Sequence, residues 1–318
     1  MRNARTRVLA GLAVLAVIGA ACASKSTSSA QGTGGASSGV CASVDTSGTD
    51  ALAQVCASGK LRIATDPKYP PQSSFNVQTQ TWQGFDVDVA TEIAQRLGVT
   101  PELQAEHWGT ITAGSWNDRW DVSVGSMTDT IDREKLFYFT PAYYYTPAAI
   151  AVANDNTTIT GPSDLAGKTV CVGVSTTYQD YVEGTLKLGA GAPPFDFQIH
   201  GANLQTYDTD TDALDNLALG DGVRCDAAIS AQQTIQAYID GGGKIKLVGD
   251  PLYYEPLSIA FDRNDPSDAQ SLSQAVGKIV DDMHADGTLS SLSKKWYNGV
   301  DWTVTSASKG SPSASPSA

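Results

Sequence analysis

Asp121-Val122-Ser123-Val124-Gly125-Ser126-Met127-Thr128-Asp129-Thr130-Ile131-Asp132-Arg133 is a short alternating strand, Val122 and Val124, that runs into a small-residue loop and ends on an arginine. Two readings fit it. In one, Gly125, Ser126 and Thr128 offer backbone N–H and hydroxyl donors, and Arg133 offers a two-pronged guanidinium that matches a carboxylate. In the other it is a strand, a polar turn and a surface arginine paired with Asp132 or Glu134.

The segments around it alternate between strand and helix patterns, which argues for an α/β fold. Leu61-Arg62-Ile63-Ala64-Thr65 reads as a strand ended by Asp66-Pro67. Phe85, Val89, Ile93 and Leu97 recur every four residues, so Gly84 to Leu97 is predicted to be a helix, with Asp86 and Asp88 favouring its N-terminal dipole and Gly98 capping its end. A strand near Glu102 to Ala105, a helix through Ile111 and a β-rich segment Ala149 to Ala153 flank the opening stretch. A second series holds the strand Thr169 to Val174, a helix from Tyr178, a helix around Asp212 to Leu219, the strand Asp226 to Ile229 and a helix from Gln232. Leu257 to Phe261 is one more strand, and a long helical pattern from Leu272 to Met283 breaks at Asp286-Gly287-Thr288. Residues 45 to 302 are at the upper size for one core, so two domains are predicted. The loops after Asp66, Gly125, Ser175 and Ser230 lie where open α/β sheets bind ligands.

The ends set the compartment. Arg2, Arg5 and Arg7 precede an apolar run from Val8 to Ile18, too short to cross a bilayer, and Gly19-Ala20-Ala21 then leads to Cys22. Residues 1–21 therefore read as a secretory signal. The cysteine after small residues resembles a lipobox, which makes Cys22 the lipidated first mature residue, with Gly19 where that pattern prefers leucine. Residues 22–44, rich in Ser, Gly, Ala and Thr, read as a flexible tether, and 303–318 as a disordered tail. The implied location is extracytoplasmic, lipid-anchored to the cell membrane. The net charge is −13, with 34 acidic and 21 basic residues, three of the latter in the signal. No basic stripe for nucleic acid is present. Five cysteines fit one anchor plus two pairs in an oxidising compartment, and sequence position favours Cys41–Cys56 and Cys171–Cys225.

Leu61 to Tyr69 with Gly84-Phe85-Asp86-Val87-Asp88, the Ser126-to-Arg133 stretch, Leu165-Ala166-Gly167-Lys168 with Ser175-Thr176-Thr177, and Asp286-Gly287-Thr288 to Lys295-Trp296 occur in one order across residues 58 to 299. Together they resemble family 3 extracellular solute-binding proteins, the amino-acid receptors of ABC importers. The resemblance implies a two-lobe periplasmic-binding-protein type II fold with a discontinuous lobe 1, at 45–150 and 254–302, lobe 2 at 151–253, and the ligand cleft between them. It implies a small-molecule ligand, an ABC permease as partner and a monomer, with no cofactor, metal or catalytic residue.

By the same resemblance Arg133 grips the ligand carboxylate with Ser126 and Thr128, and Thr177 adds donors at a helix N-terminus. Tyr69 and Trp108 match aromatic positions that sandwich the ligand side chain, and Asp66 and Ser230 match polar positions nearby; Asp66 is equally the turn residue before Pro67. Asp226 reads as structural. One departure stands out: the aspartate that commonly pairs with the ligand ammonium aligns with Ala231. Ser230, Gln232 or Glu255 could replace it, or the ligand could be a carboxylate lacking an α-amine. An enzyme on this fold, a cyclohexadienyl-type dehydratase, is the competing class, although His107, His200 and His284 form no nucleophile–base constellation, and only His107 reads as near the cleft.

Overall fold

The computed structural model describes residues 39–304, so the signal, Cys22, most of the tether and residues 305–318 lie outside the described residues. Helix α1 (Ala51–Ser58) starts where the Asp50 side chain accepts from the Ala53 N–H and stops at left-handed Gly59. Cys56 on α1 is bonded to Cys41 in the 3-10 turn Val40–Ser43. Strand β1 (Lys60–Thr65) follows, and β2 (Lys68–Tyr69), β3 (Ser73–Asn76) and β4 (Thr81–Gln83) form a small separate sheet. Helix α2 (Phe85–Leu97) has the predicted period: Phe85, Val89, Ile93 and Leu97 all face the core, and Gly98 closes it in the left-handed region. Asp86 does more than favour the dipole, for it is wholly buried. Strand β5 (Thr100–Ala105) and helix α3 (Trp108–Thr112) come next.

Strand β6 (Val122–Thr128) corrects the reading of the opening stretch. It does not give way to a loop at Gly125 but continues through Thr128, buried at every residue. Small residues stand there because both faces are covered, which removes the alternation a half-exposed strand would show. After the 3-10 turn Arg133–Lys135 come β7 (Phe137–Phe139) and β8 (Tyr144–Ala153), whose first residues are the tyrosine run. The second series is β9 (Thr169–Gly173), α4 (Thr177–Glu183), β10 (Asn203–Tyr207), α5 (Asp210–Leu217), β11 (Ala227–Ala231) and α6 (Gln232–Asp240). Strand β12 (Ile245–Asp262) then returns to the first series, ahead of α7 (Gln270–Ala285) and α8 (Thr288–Trp296).

The large sheet runs β10-β9-β11-β8-β12-β6-β1-β5, with β7 also on β12. Strands β8 and β12 are antiparallel partners from Ile245↔Ala153 to Leu257↔Tyr144, with a register shift between Val248 and Tyr253. They belong to both halves: β8 pairs with β11, and the far end of β12 pairs with β6 and β7. Each half therefore builds its own core on its own faces. In the first, α2, α7 and α8 cover one face with Phe85, Ile93, Val276 and Leu289, while Trp116, Trp120 and Phe137 fill the other. In the second, Val170, Val172, Tyr181 and Ile229 lie on one face, and Leu214, Ile235 and the Cys171–Cys225 bond on the other. Each fully buried side chain of this size contributes roughly 1.5–3 kcal/mol. This is a two-lobe α/β fold, with a discontinuous first lobe and a cleft between the lobes.

Candidate functional site

Parallel strands end together, so the turns after β1, β6 and β9 open on one cavity. It is lined by Asp66, Tyr69, Trp108, Gly125, Ser126, Thr128 and Arg133 from the first half, Gly173, Thr176, Thr177, Tyr178, Asp208, Thr209 and Asp210 from the second, and Glu255 of β12. Its free space, mouth included, is about 480 Å³. Seven of the eight expected ligand residues are therefore brought together. Ser230 is not among them: it lies behind Asp210, and its hydroxyl donates to Asp210 Oδ2 at 2.5 Å.

Arg133 is only 9 % exposed. Its Nη1 donates to the Thr128 carbonyl at 3.0 Å and its Nη2 reaches across the cleft to the Ser175 carbonyl at 2.9 Å. Trp108 Nε1 donates to that same carbonyl at 3.1 Å, and the guanidinium lies 5.4 Å from the Trp108 ring. Ser175 holds a left-handed φ of 59°, rare for a residue with a side chain, and two donors from the opposite wall meet its carbonyl. Burial lowers the Arg133 pKa, yet a guanidinium stays charged. Among the described residues no ion pair includes it.

The hydroxyls expected to face a carboxylate are bonded elsewhere. Ser126 Oγ donates to Asp86 Oδ2 at 2.7 Å and lies 2.6 Å from the Tyr144 hydroxyl, while its N–H donates to Tyr143 Oη at 3.0 Å. Tyr143 Oη in turn donates to Asp86 Oδ1 at 2.6 Å. Burial pushes the Asp86 carboxyl up to about 6, against these bonds, which lower it. Ser126, at φ 56°, thus ties the end of β6 to the first turn of α2. Thr128 Oγ1 and Thr177 Oγ1, one from each wall, both donate to Glu255 Oε2 at 2.6 Å.

Glu255 is 1 % exposed, and its Oε1 is buried without a hydrogen-bond partner. Burial raises its pKa, while the two threonines, the Tyr178 hydroxyl and Arg133 pull it down. Asp210, on the first turn of α5, accepts from the Gly173 N–H at 3.2 Å as well as from Ser230. Burial first, with Glu255 and Asp66 adding repulsion, carries Asp210 to about 7. A Cβ on Gly173 would stand 2.3 Å from Asp210 Oδ1, so the carboxylate needs glycine there. Asp66 accepts from the Lys68 N–H at 2.7 Å, the turn role, and also lines the cavity, where burial raises its pKa. Tyr69 brings a phenol whose pKa burial and the Asp210 charge raise strongly.

Of the three candidates to stand in for Ala231, only Glu255 reaches the cavity; Gln232 lines a separate groove with Trp296 and Trp302. Sequence reasoning missed Asp210, Tyr178 and Gly173, since Asp210 lies in the run Asp208-Thr209-Asp210-Thr211-Asp212, where nothing marks one acid as buried. His200 is exposed, and His284 is not: its Nε2 lies 2.9 Å from the Ala142 carbonyl.

Residues 61–299 match the family described as bacterial extracellular solute-binding proteins, family 3. The chain belongs to that family. This solute-binding protein is 29 % identical over 216 residues to the probable amino-acid-binding protein YxeM of Bacillus subtilis (strain 168), covering 68 % of the chain and 76 % of YxeM. It is 27 % identical over 256 residues to the L-cystine-binding protein TcyA of the same organism, covering 78 % and 85 %. Among solved structures it matches the ancestral amino-acid-binding protein AncCDT-1, described as a precursor of cyclohexadienyl dehydratase, with a TM-score of 0.65 and 26 % identity over 77 % of this chain and 99 % of that one. Solute-binding proteins of this family are extracytoplasmic, and these relatives are named as binding proteins rather than enzymes.

Proposed function

We propose that this chain is the substrate-binding receptor of an ABC importer, capturing an α-amino acid in the cleft and presenting it to a membrane permease. One observation carries the reading: Arg133 is a buried guanidinium on the cleft wall, hydrogen-bonded to two carbonyls and paired with no carboxylate among the described residues. A buried cation without a counter-ion is costly, and a ligand carboxylate meets it bidentately. Ser126, Thr128 and Thr177 line the pocket with Arg133, as do Tyr69, Trp108 and Asp66, and Ser230 positions Asp210. Residues 45–150 with 254–302, and 151–253, move as two lobes about β8 and β12, and closure signals the loaded state. Arg133→Ala should weaken binding by roughly 2–5 kcal/mol with the melting profile kept; unchanged affinity in titration calorimetry sinks the assignment.

Lipidation at Cys22 anchors the receptor; palmitate labelling that survives Cys22→Ala would refute it. A second reading, proton-transfer chemistry on a cyclohexadienyl acid, draws on the raised cleft carboxyls and on AncCDT-1. Turnover of such an acid by the purified protein would favour it over the receptor.

A further inference from the structure

Four acids line the cavity against a single base, Arg133: Asp208 is exposed, and Asp66, Asp210 and Glu255 are buried. A zwitterion adds no net charge and leaves that surplus in a poorly solvated site, where unpaired charge is unfavourable. Two of these acids are built into the protein: Glu255 is 1 % exposed and Asp210 is 6 %. Glu255 uses Oε2 for the threonine hydroxyls of both walls and keeps Oε1 buried and unpartnered. The Tyr178 hydroxyl also approaches Glu255 and favours its ionised form, while Oε1 has no hydrogen-bond partner. Asp210 accepts from Ser230, the residue before Ala231, where the expected ammonium anchor is an alanine, and so offers the cavity a second buried carboxylate. The aromatic rings of Tyr69, Trp108 and Tyr178 complete a lining that suits a cation.

We propose that Glu255 and Asp210 form a cation-binding subsite beside Arg133, and that the ligand is a cationic amino acid, with one carboxylate for Arg133 and two nitrogen cations for the buried acids. This rests on the amino-acid reading above and fixes its substrate class. An acidic amino acid would set a second carboxylate against these acids with no second base to meet it.

The test is titration calorimetry of the mature protein with L-lysine, L-arginine, L-glutamate and two lysine analogues: L-norleucine, which lacks the side-chain amine, and 6-aminohexanoate, which lacks the α-amine. L-Lysine or L-arginine should bind at least tenfold tighter than either analogue, and L-glutamate should not bind. Glu255→Gln and Asp210→Asn should each weaken the cationic ligand at least tenfold. Each should also erase the preference over the analogue that lacks the amine its carboxylate held. Thermal melts report folding, and if one variant fails to fold the other carries the test. Norleucine or glutamate binding as tightly as lysine overturns the inference while the receptor stands. Binding of no α-amino acid overturns the reading beneath it. Both variants weakening every probe by one factor makes Glu255 and Asp210 struts and overturns the subsite.

Discussion

Two buried carboxylates in this molecule meet nearly the same donors and reach opposite ends. Asp86 takes Tyr143 on one oxygen and Ser126 on the other, with Tyr144 behind, in a site closed on all sides. Glu255 takes Thr128 and Thr177 on a single oxygen and leaves the other without a partner on a cavity wall. A carboxylate with every oxygen bonded is part of the scaffold, whereas one with a buried free oxygen holds bonding capacity that a ligand can use. The difference lies in geometry, since hydroxyl donors and a buried acid are common to both.

The sharpest way to break this comparison is to remove the scaffold acid. Asp86→Ala strands the Tyr143 and Ser126 hydroxyls in the core and should destabilise by about 2–4 kcal/mol, lowering Tm by roughly 5–15 °C. A drop no larger than that of Glu255→Gln would erase the distinction. Asp86 also sets a pH dependence. With its carboxyl held near 6, the folded protein keeps a proton that the unfolded chain, at about 3.9, has released. Its contribution to stability therefore falls as pH rises from about 4 to 6, and Asp86→Asn should flatten that slope in melts across the window.

Gly173→Ala is the middle-sized test. Its Cβ would collide with Asp210 Oδ1 at 2.3 Å, so the carboxylate must move, and affinity should fall by about 1–2 kcal/mol while Tm changes little. Unaltered affinity would mean that Asp210 is not fixed by this contact. The smallest effect is protonic. Asp210 is faced by the Gly173 N–H, the Ser230 hydroxyl, the Glu255 and Asp66 carboxylates and the Tyr69 and Tyr178 phenols, and it titrates near 7. A cation binds its ionised form, so affinity should rise several-fold with pH up to about 7 and then level. Calorimetry in buffers of different ionisation enthalpy should record up to one proton released below that pH; proton uptake would reverse the assignment.

The helical period of Phe85 to Leu97 was legible because a half-exposed helix must alternate its faces, and both disulfides followed from position. Asp66, Tyr69, Trp108, Thr128, Arg133 and Thr177 meet at one cavity as the ordered motifs implied. Ser126 lines the same cavity, and its bonds to Asp86 and Tyr143 were not legible because those partners meet it only through packing. The full length of β12 was hidden by Gly249-Asp250-Pro251, which reads as a turn and stands in the structure where the pairing with β8 shifts register. Glu255 was legible only as one of three stand-ins and Asp210 not at all, because burial of one acid among 34 acidic residues is decided by tertiary neighbours.

The most direct test is a crystal structure with the amino acid that binds best in calorimetry. The ligand carboxylate should lie on the Arg133 guanidinium with an amino nitrogen about 3 Å from Glu255 Oε1. A ligand whose carboxylate avoids Arg133, or whose nitrogens leave Glu255 Oε1 unpartnered, would contradict the account.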